Sequence, residues 1–159
     1  AKVIIEKLKA KDPSNLFYLD TATDIYLALE EPQKAVDMLE EELKNSPRNA
    51  VVTLNLANAA IEDGKFDYAI DVLRDFLLIN PNHMLSHQLL SDAYAKSNRY
   101  LEMHQMNAEV FALVAAFPQA IDELQHAYNF TGDSHLDKQR IRARIQQLRD
   151  EQAKLERLL

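Results

Sequence analysis

Asn45-Ser46-Pro47-Arg48-Asn49-Ala50 decides the fold, because it recurs. Asp12-Pro13-Ser14-Asn15 stands before it and Asn80-Pro81-Asn82-His83 after it. The three prolines are evenly placed: 47 − 13 = 34 and 81 − 47 = 34. Proline lacks an N–H and turns its predecessor away from helical geometry, so each cluster stops a helix. The Ser or Asn that follows can accept from the free N–H groups of the next helix. Composition agrees with helices throughout. The chain has 159 residues but 2 glycines, where average usage gives about 11. That scarcity excludes Gly-rich phosphate loops and β-sandwich turns. A hydrophobic share of 47% is ample for a packed core.

A 34-residue period is that of the tetratricopeptide repeat, a helix–turn–helix unit. With each proline set at repeat position 32, position 8 reads Thr23, Ala57 and Ser91, all small. Position 20 reads Ala35 and Ala69, position 24 Leu39 and Leu73, and position 11 Tyr26, Ala60 and Tyr94. Small side chains at 8 and 20 let the two helices of a hairpin approach closely; a large one there overpacks at roughly 1–3 kcal/mol. The expected fold is an all-α solenoid of such hairpins, one domain over residues 1–159. Counting back places Ala1 at position 20, Ile5 at 24 and Leu8 at 27. Residues 1–12 then read as the second helix of a truncated repeat, and the chain as a piece of a longer protein. Residues 13–46 and 47–80 are full repeats.

The third repeat departs from the rule. Its position 20 is Met103, its position 24 is Asn107, and no proline stands at 115. A second-helix pattern appears later, at Phe117-Pro118-Gln119-Ala120-Ile121 with Leu124 and Ala127. The step from Ala69 to Ala120 is 120 − 69 = 51, one and a half periods. Residues 81–132 therefore read as irregular third and fourth hairpins that share one helix, about 99–115. That helix pairs backward with 84–96 and forward with 118–130, with Ala108 and Phe111 at positions 8 and 11 of the fourth hairpin. The half-repeat step should bend the superhelix. Gly132 stops a helix, and Ser134 with Asp137 opens the last one. Residues 133–159 read as a capping helix whose stripe of Ile141, Ile145, Leu148 and Leu155 seals the solenoid end; pairing with another chain is the competing role.

Net charge is 18 − 25 = −7, against a nucleic-acid partner. Residues 1–132 contribute 11 − 20 = −9 and residues 133–159 contribute 7 − 5 = +2. No apolar run approaches the ~20 residues of a membrane span, and the absence of cysteine excludes thiolate chemistry. His83 and His87 are one helical turn apart, but the glutamate of a metalloprotease H-E-x-x-H motif is missing between them. No catalytic residue, metal ligand or cofactor is expected in this chain. Glu40-Glu41-Glu42 reads as a solvated face. Phe76-Leu77-Leu78-Ile79 carries more apolar residues than one face can bury, which makes Leu78 a candidate exposed contact.

A solenoid of hairpins offers a concave groove lined by first helices, at positions 2, 5, 9, 12 and 13. The candidate partner-binding residues are Phe17, Asp20 and Asp24, then Leu54, Asn58, Ile61 and Glu62, then Gln88 and Asp92. Apolar seats between amides and carboxylates suit an extended protein segment. The carboxylates favour Lys or Arg on the partner. Lys96 alone breaks the acidic run, so a groove for acidic C-termini is not expected.

Several motifs make the sequence more specific: Tyr18-Leu19-Asp20, Ala22-Thr23-Asp24-Ile25, Leu54-Asn55-Leu56-Ala57-Asn58-Ala59, Gln119-Ala120-Ile121 and the late Arg/Gln-rich helix. Over residues 1 to about 155 the chain resembles the C-terminal repeat domain of the bacterial periplasmic β-barrel assembly-enhancing proteases, M48-family zinc metallopeptidases. The resemblance implies a parent with an N-terminal protease domain that holds the zinc; the family's zinc ligands map to no residue here. It implies a periplasmic, non-catalytic interaction domain. The implied partners are the parent's own protease domain, the outer-membrane β-barrel assembly machinery and outer-membrane protein substrates that mature or are degraded. Asp20, Asp24, Asn55 and Asn58 carry over as repeat-face positions. The alternative role is a regulatory lid that docks on the protease domain and gates it.

Overall fold

The computed structural model describes residues 2–158, with Lys2 described by its backbone alone. Ala1, placed above at repeat position 20, and Leu159, at the end of the last expected segment, lie outside the described residues. The described residues form helices joined by short turns: α1 (Lys2–Lys11), α2 (Leu16–Ala28), α3 (Pro32–Asn45), α4 (Ala50–Glu62), α5 (Phe66–Ile79), α6 (Met84–Lys96), α7 (Tyr100–Leu113), α8 (Phe117–Tyr128) and α9 (His135–Glu156). No strand occurs among them. The chain forms two compact units, one running to Pro81 and one from Asn82.

In the first unit each helix packs on the next, and α4 is covered by α2, α3 and α5. Asn15 and Asn49 start α2 and α4 as the prolines and their polar neighbours suggest. Each side-chain oxygen accepts from two backbone N–H groups, Phe17 and Tyr18 for the first, Val51 and Val52 for the second. Such a cap stabilises a helix by about 1 kcal/mol. The small positions lie where helices meet: Thr23, Ala35, Ala57 and Ala69 are all fully buried. Leu39 and Leu73 are fully buried as well. The burial contributes roughly 1.5–3 kcal/mol for each such leucine.

The turns inside hairpins share one geometry. Glu30, Gly64, Asn98 and Ala115 all take left-handed backbone, with φ of 57°, 76°, 61° and 57°. After each, the next N–H reaches back five residues: Glu31 to the Tyr26 carbonyl, Lys65 to Ala60, Arg99 to Tyr94 and Ala116 to Phe111, at 2.8–2.9 Å. The same pair of features therefore marks the ends of α2, α4, α6 and α7.

The second unit is built around α7, which packs on α6 on one side and on α8 on the other. Ala108, Phe117, Ala120, Ile121, Leu124 and Ala127 form its core. Ile141 and Leu148 of α9 insert into this core, with Ile145 packed beside them. Leu155, the last residue of the stripe, stays exposed. Gly132 takes φ 51° at the α8–α9 turn, and the Ser134 hydroxyl accepts from the Asp137 N–H at 3.3 Å. Arg144 of α9 forms two hydrogen bonds to the Glu109 carboxylate of α7, at 2.8 and 2.6 Å. These bonds push the Arg144 guanidinium above its ordinary range.

One expected surface turns inward. Glu40 and Glu41 are exposed, but Glu42 is 5% exposed. Its carboxylate accepts from the Ser14 hydroxyl and from the Ser46 hydroxyl, both at 3.1 Å. The charge is thus satisfied between the turn before α2 and the end of α3, and the triple glutamate is not one solvated face.

Candidate functional site

Helices α2 and α4 present the first unit's candidate surface. Phe17, at the start of α2, is 72% exposed and meets the Tyr18 ring edge-on at 6.1 Å. Asp20, Asp24 and Glu62 are exposed, and Leu54 and Asn58 are half-buried. Asn55 of α4 donates to the Asp20 carboxylate at 2.8 Å, which ties the two helices level. Leu27 and Glu62 line a cavity of about 270 Å³ together with Glu30 and Pro32. Ile61 departs from the expected lining: it is 2% exposed and belongs to the core. The physical reason is that α4 packs more extensively on its neighbours α2, α3 and α5 than α2 does on α1, α3 and α4. Its apolar side chain is drawn into packing, where Leu27 at the same repeat position stays half-exposed.

In the second unit, Gln88 is exposed and Asp92 half-exposed on α6. Asp92 pairs with Lys96 one turn on, at 3.1 Å. Gln88, Asp92 and Ala95 line a cavity of about 500 Å³ whose other walls are Asn107, Val110 and Phe111 of α7 and Glu123 of α8. Of the candidate residues, Glu62 lines a depression in the first unit and Gln88 and Asp92 line one in the second, and both depressions carry carboxylates. Leu78 and Ile79, at the end of α5, are 83% and 60% exposed, in accord with the surplus of apolar residues there.

A polar relay beside the second cavity is not among the sequence expectations. The Ser91 hydroxyl donates to the Asn107 carbonyl oxygen at 2.5 Å. The Asn107 amide donates to Glu123 Oε2 at 3.4 Å, and His104 Nδ1 lies 2.7 Å from the same oxygen. The His104 ring meets His126 edge-on at 5.5 Å and stacks on Phe130 at 5.6 Å. Two signals could have found this group. Glu123 and His126 are three apart, one helix face. Asn107 and Glu123 are each eight residues from Ala115, and His104 and His126 each eleven (115 − 104 = 126 − 115). An antiparallel hairpin that turns at 115 must set them level. The histidine pair that the sequence did bring forward is engaged otherwise. His83 caps α6, its Nδ1 accepting from the Ser86 N–H, and His87 is buried.

Comparison with known proteins gives these features a setting. A tetratricopeptide-repeat family model matches residues 26–91. Over 149 residues, 94% of this chain, the sequence is 33% identical to the β-barrel assembly-enhancing protease of Escherichia coli K12. Over the same length it is 31% identical to the protein of that name in Yersinia pestis. The chain spans about 30% of the length of the first of these relatives. Among solved structures, MamA superposes with a TM-score of 0.63 over 94% of this chain and 87% of its own, at 17% identity. That likeness shows the fold alone.

Proposed function

We propose that this chain, a tetratricopeptide-repeat domain, is the protein-recognition part of a longer bacterial protein of the β-barrel assembly-enhancing protease kind. In this reading it acts in the periplasm and performs no chemistry itself. It captures an extended segment or an exposed edge of a partner, with Lys and Arg of the partner set against Asp20, Asp24, Glu62 and Asp92. The partners are the outer-membrane β-barrel assembly machinery and outer-membrane protein substrates. A tethered zinc metalloprotease domain of the M48 type then meets the captured chain at high effective concentration.

The observation that carries the proposal is the similarity to these proteases over 94% of the chain. The surface chemistry fits it: helices whose other faces are packed keep Phe17, Asp20, Asp24 and Glu62 exposed, without a basic cluster for acidic partners.

Binding of the purified chain to isolated barrel-assembly components tests the proposal. Asp24→Arg with Asn58→Arg should lower affinity at least tenfold, about 1.4 kcal/mol, with the helical circular dichroism intact. Unchanged binding would move the contact off α2 and α4. Adding the chain in trans to an isolated protease domain examines the gating role; a changed peptidase rate without partner binding would favour it over capture.

A further inference from the structure

We infer that His104, Glu123 and His126 form a binding site for one divalent transition-metal ion of the zinc class. One ligand atom from each side chain lies within 4.8 Å of the others. Zinc bonds of about 2.0–2.2 Å in a tetrahedron require ligand atoms roughly 3.3 Å apart. Small side-chain rotations therefore close the site without moving a helix. Two imidazoles and one carboxylate select zinc, cobalt, nickel or copper; calcium and magnesium need oxygen ligands. Three protein ligands leave a fourth position for water or for a donor from a bound partner.

The support around the ligands is what such a site needs. Asn107 holds Glu123 Oε2, and Ser91 in turn holds Asn107. Outer hydrogen bonds of this kind orient ligating groups and tune affinity. Phe130 stacks on His104 with the planes 24° apart, which limits the ring's rotation, and Tyr100 packs on Phe130 at 5.6 Å. His104 and Glu123 are mostly covered, with side chains 17% and 21% exposed, while His126 is open to solvent. That gives an entry path. His104 Nδ1 lies 2.7 Å from Glu123 Oε2; an ion binding between these atoms takes the place of their hydrogen bond.

The test uses the whole chain titrated with Zn²⁺ and with Co²⁺. Isothermal calorimetry should give one ion per chain, and Co²⁺ should show the strong visible bands of a tetrahedral complex. His126→Ala, at an exposed position that leaves the core intact, should weaken binding by more than about 100-fold. Asn107→Ala should weaken it by about 10–100-fold. Saturating Zn²⁺ should raise Tm in the unaltered chain and not in His126→Ala. No binding at micromolar Zn²⁺, or binding unchanged in His126→Ala, would overturn the site. So would binding lost in His83→Ala but kept in His126→Ala.

Discussion

The two units join their helices by different rules. In the unit that ends at Pro81, the junctions alternate. A proline loop with an asparagine cap leads into α2 and α4, and a left-handed turn at Glu30 or Gly64 leads into α3 and α5. In the unit from Asn82 onward every junction is left-handed, at Asn98, Ala115 and Gly132. Among the described residues the left-handed ones are 30, 64, 98, 115 and 132, so their spacing is 34, 34, 17 and 17. The half-repeat step is therefore a matter of which turn follows a helix. Helix α7 is entered as a second helix and left as a first one. Its exit repeats the hydrogen bond, Ala116 N–H to Phe111 carbonyl, that closes α2, α4 and α6.

Core leucines break this comparison most forcefully. Leu73 in α5 and Leu124 in α8 are both buried, at 0% and 2% exposure, and both stand four residues after a buried alanine. If α8 is a true second helix, Leu73→Ala and Leu124→Ala should each destabilise by about 2–5 kcal/mol, as read by urea unfolding. A much smaller cost at Leu124 would mean that the shifted hairpin packs by other rules.

The turns offer a smaller and opposite pair. Gly64 has open space where an added methyl group would stand, so Gly64→Ala isolates the backbone strain and should destabilise by about 1 kcal/mol. Ala115 bears that strain already; Ala115→Gly should stabilise by up to about 1 kcal/mol, less the added freedom of the unfolded chain. Equal signs in the two variants, read from the same urea titrations, would show that the turns are not equivalent.

The smallest effect concerns ties between alternate helices. Tyr68 of α5 reaches Glu40 of α3 in the first unit, and Arg144 of α9 reaches Glu109 of α7 in the second. Burial, then the hydrogen bond to Glu40, pushes the Tyr68 hydroxyl up to about 12. The unfolded chain ionises this tyrosine near 10, so the contribution is whole below that pH and is lost as pH rises from 10 to 12. Urea titrations at about pH 9 and about pH 11.5 should therefore show an alkaline weakening that Tyr68→Phe reduces. Glu109→Gln should leave that alkaline loss in place, because arginine keeps its charge throughout.

Much of this is legible in the chain itself. Proline spacing and asparagine placement locate the helix starts, because both act through the local backbone. The small-residue positions locate the hairpin contacts. The left-handed turns at Glu30 and Ala115 are not legible, since glycine and asparagine advertise that conformation and these two are held by the reach-back hydrogen bond instead. Repeat position alone puts Ile61 in the groove lining, because position does not tell how closely the neighbouring helices cover a given helix. Glu42 reads as solvated from its own helix, because hydroxyls from two separate turns must converge before its burial becomes tolerable. The His104 group needs the level of facing residues across a hairpin, a relation between helices rather than within one.

Helix α7 has one more property with a consequence. From Leu101 to Leu113 no residue is exposed, although Ala108 alone is fully buried. Flanked by a helix on either side, it has no free water-facing stripe. Its backbone amides should be the last in the second unit to exchange with deuterated solvent, while α9 frays first from its exposed end at Leu155. Protection would then decline outward from the middle of that unit, and the order of deuterium uptake would trace the helix that serves two hairpins.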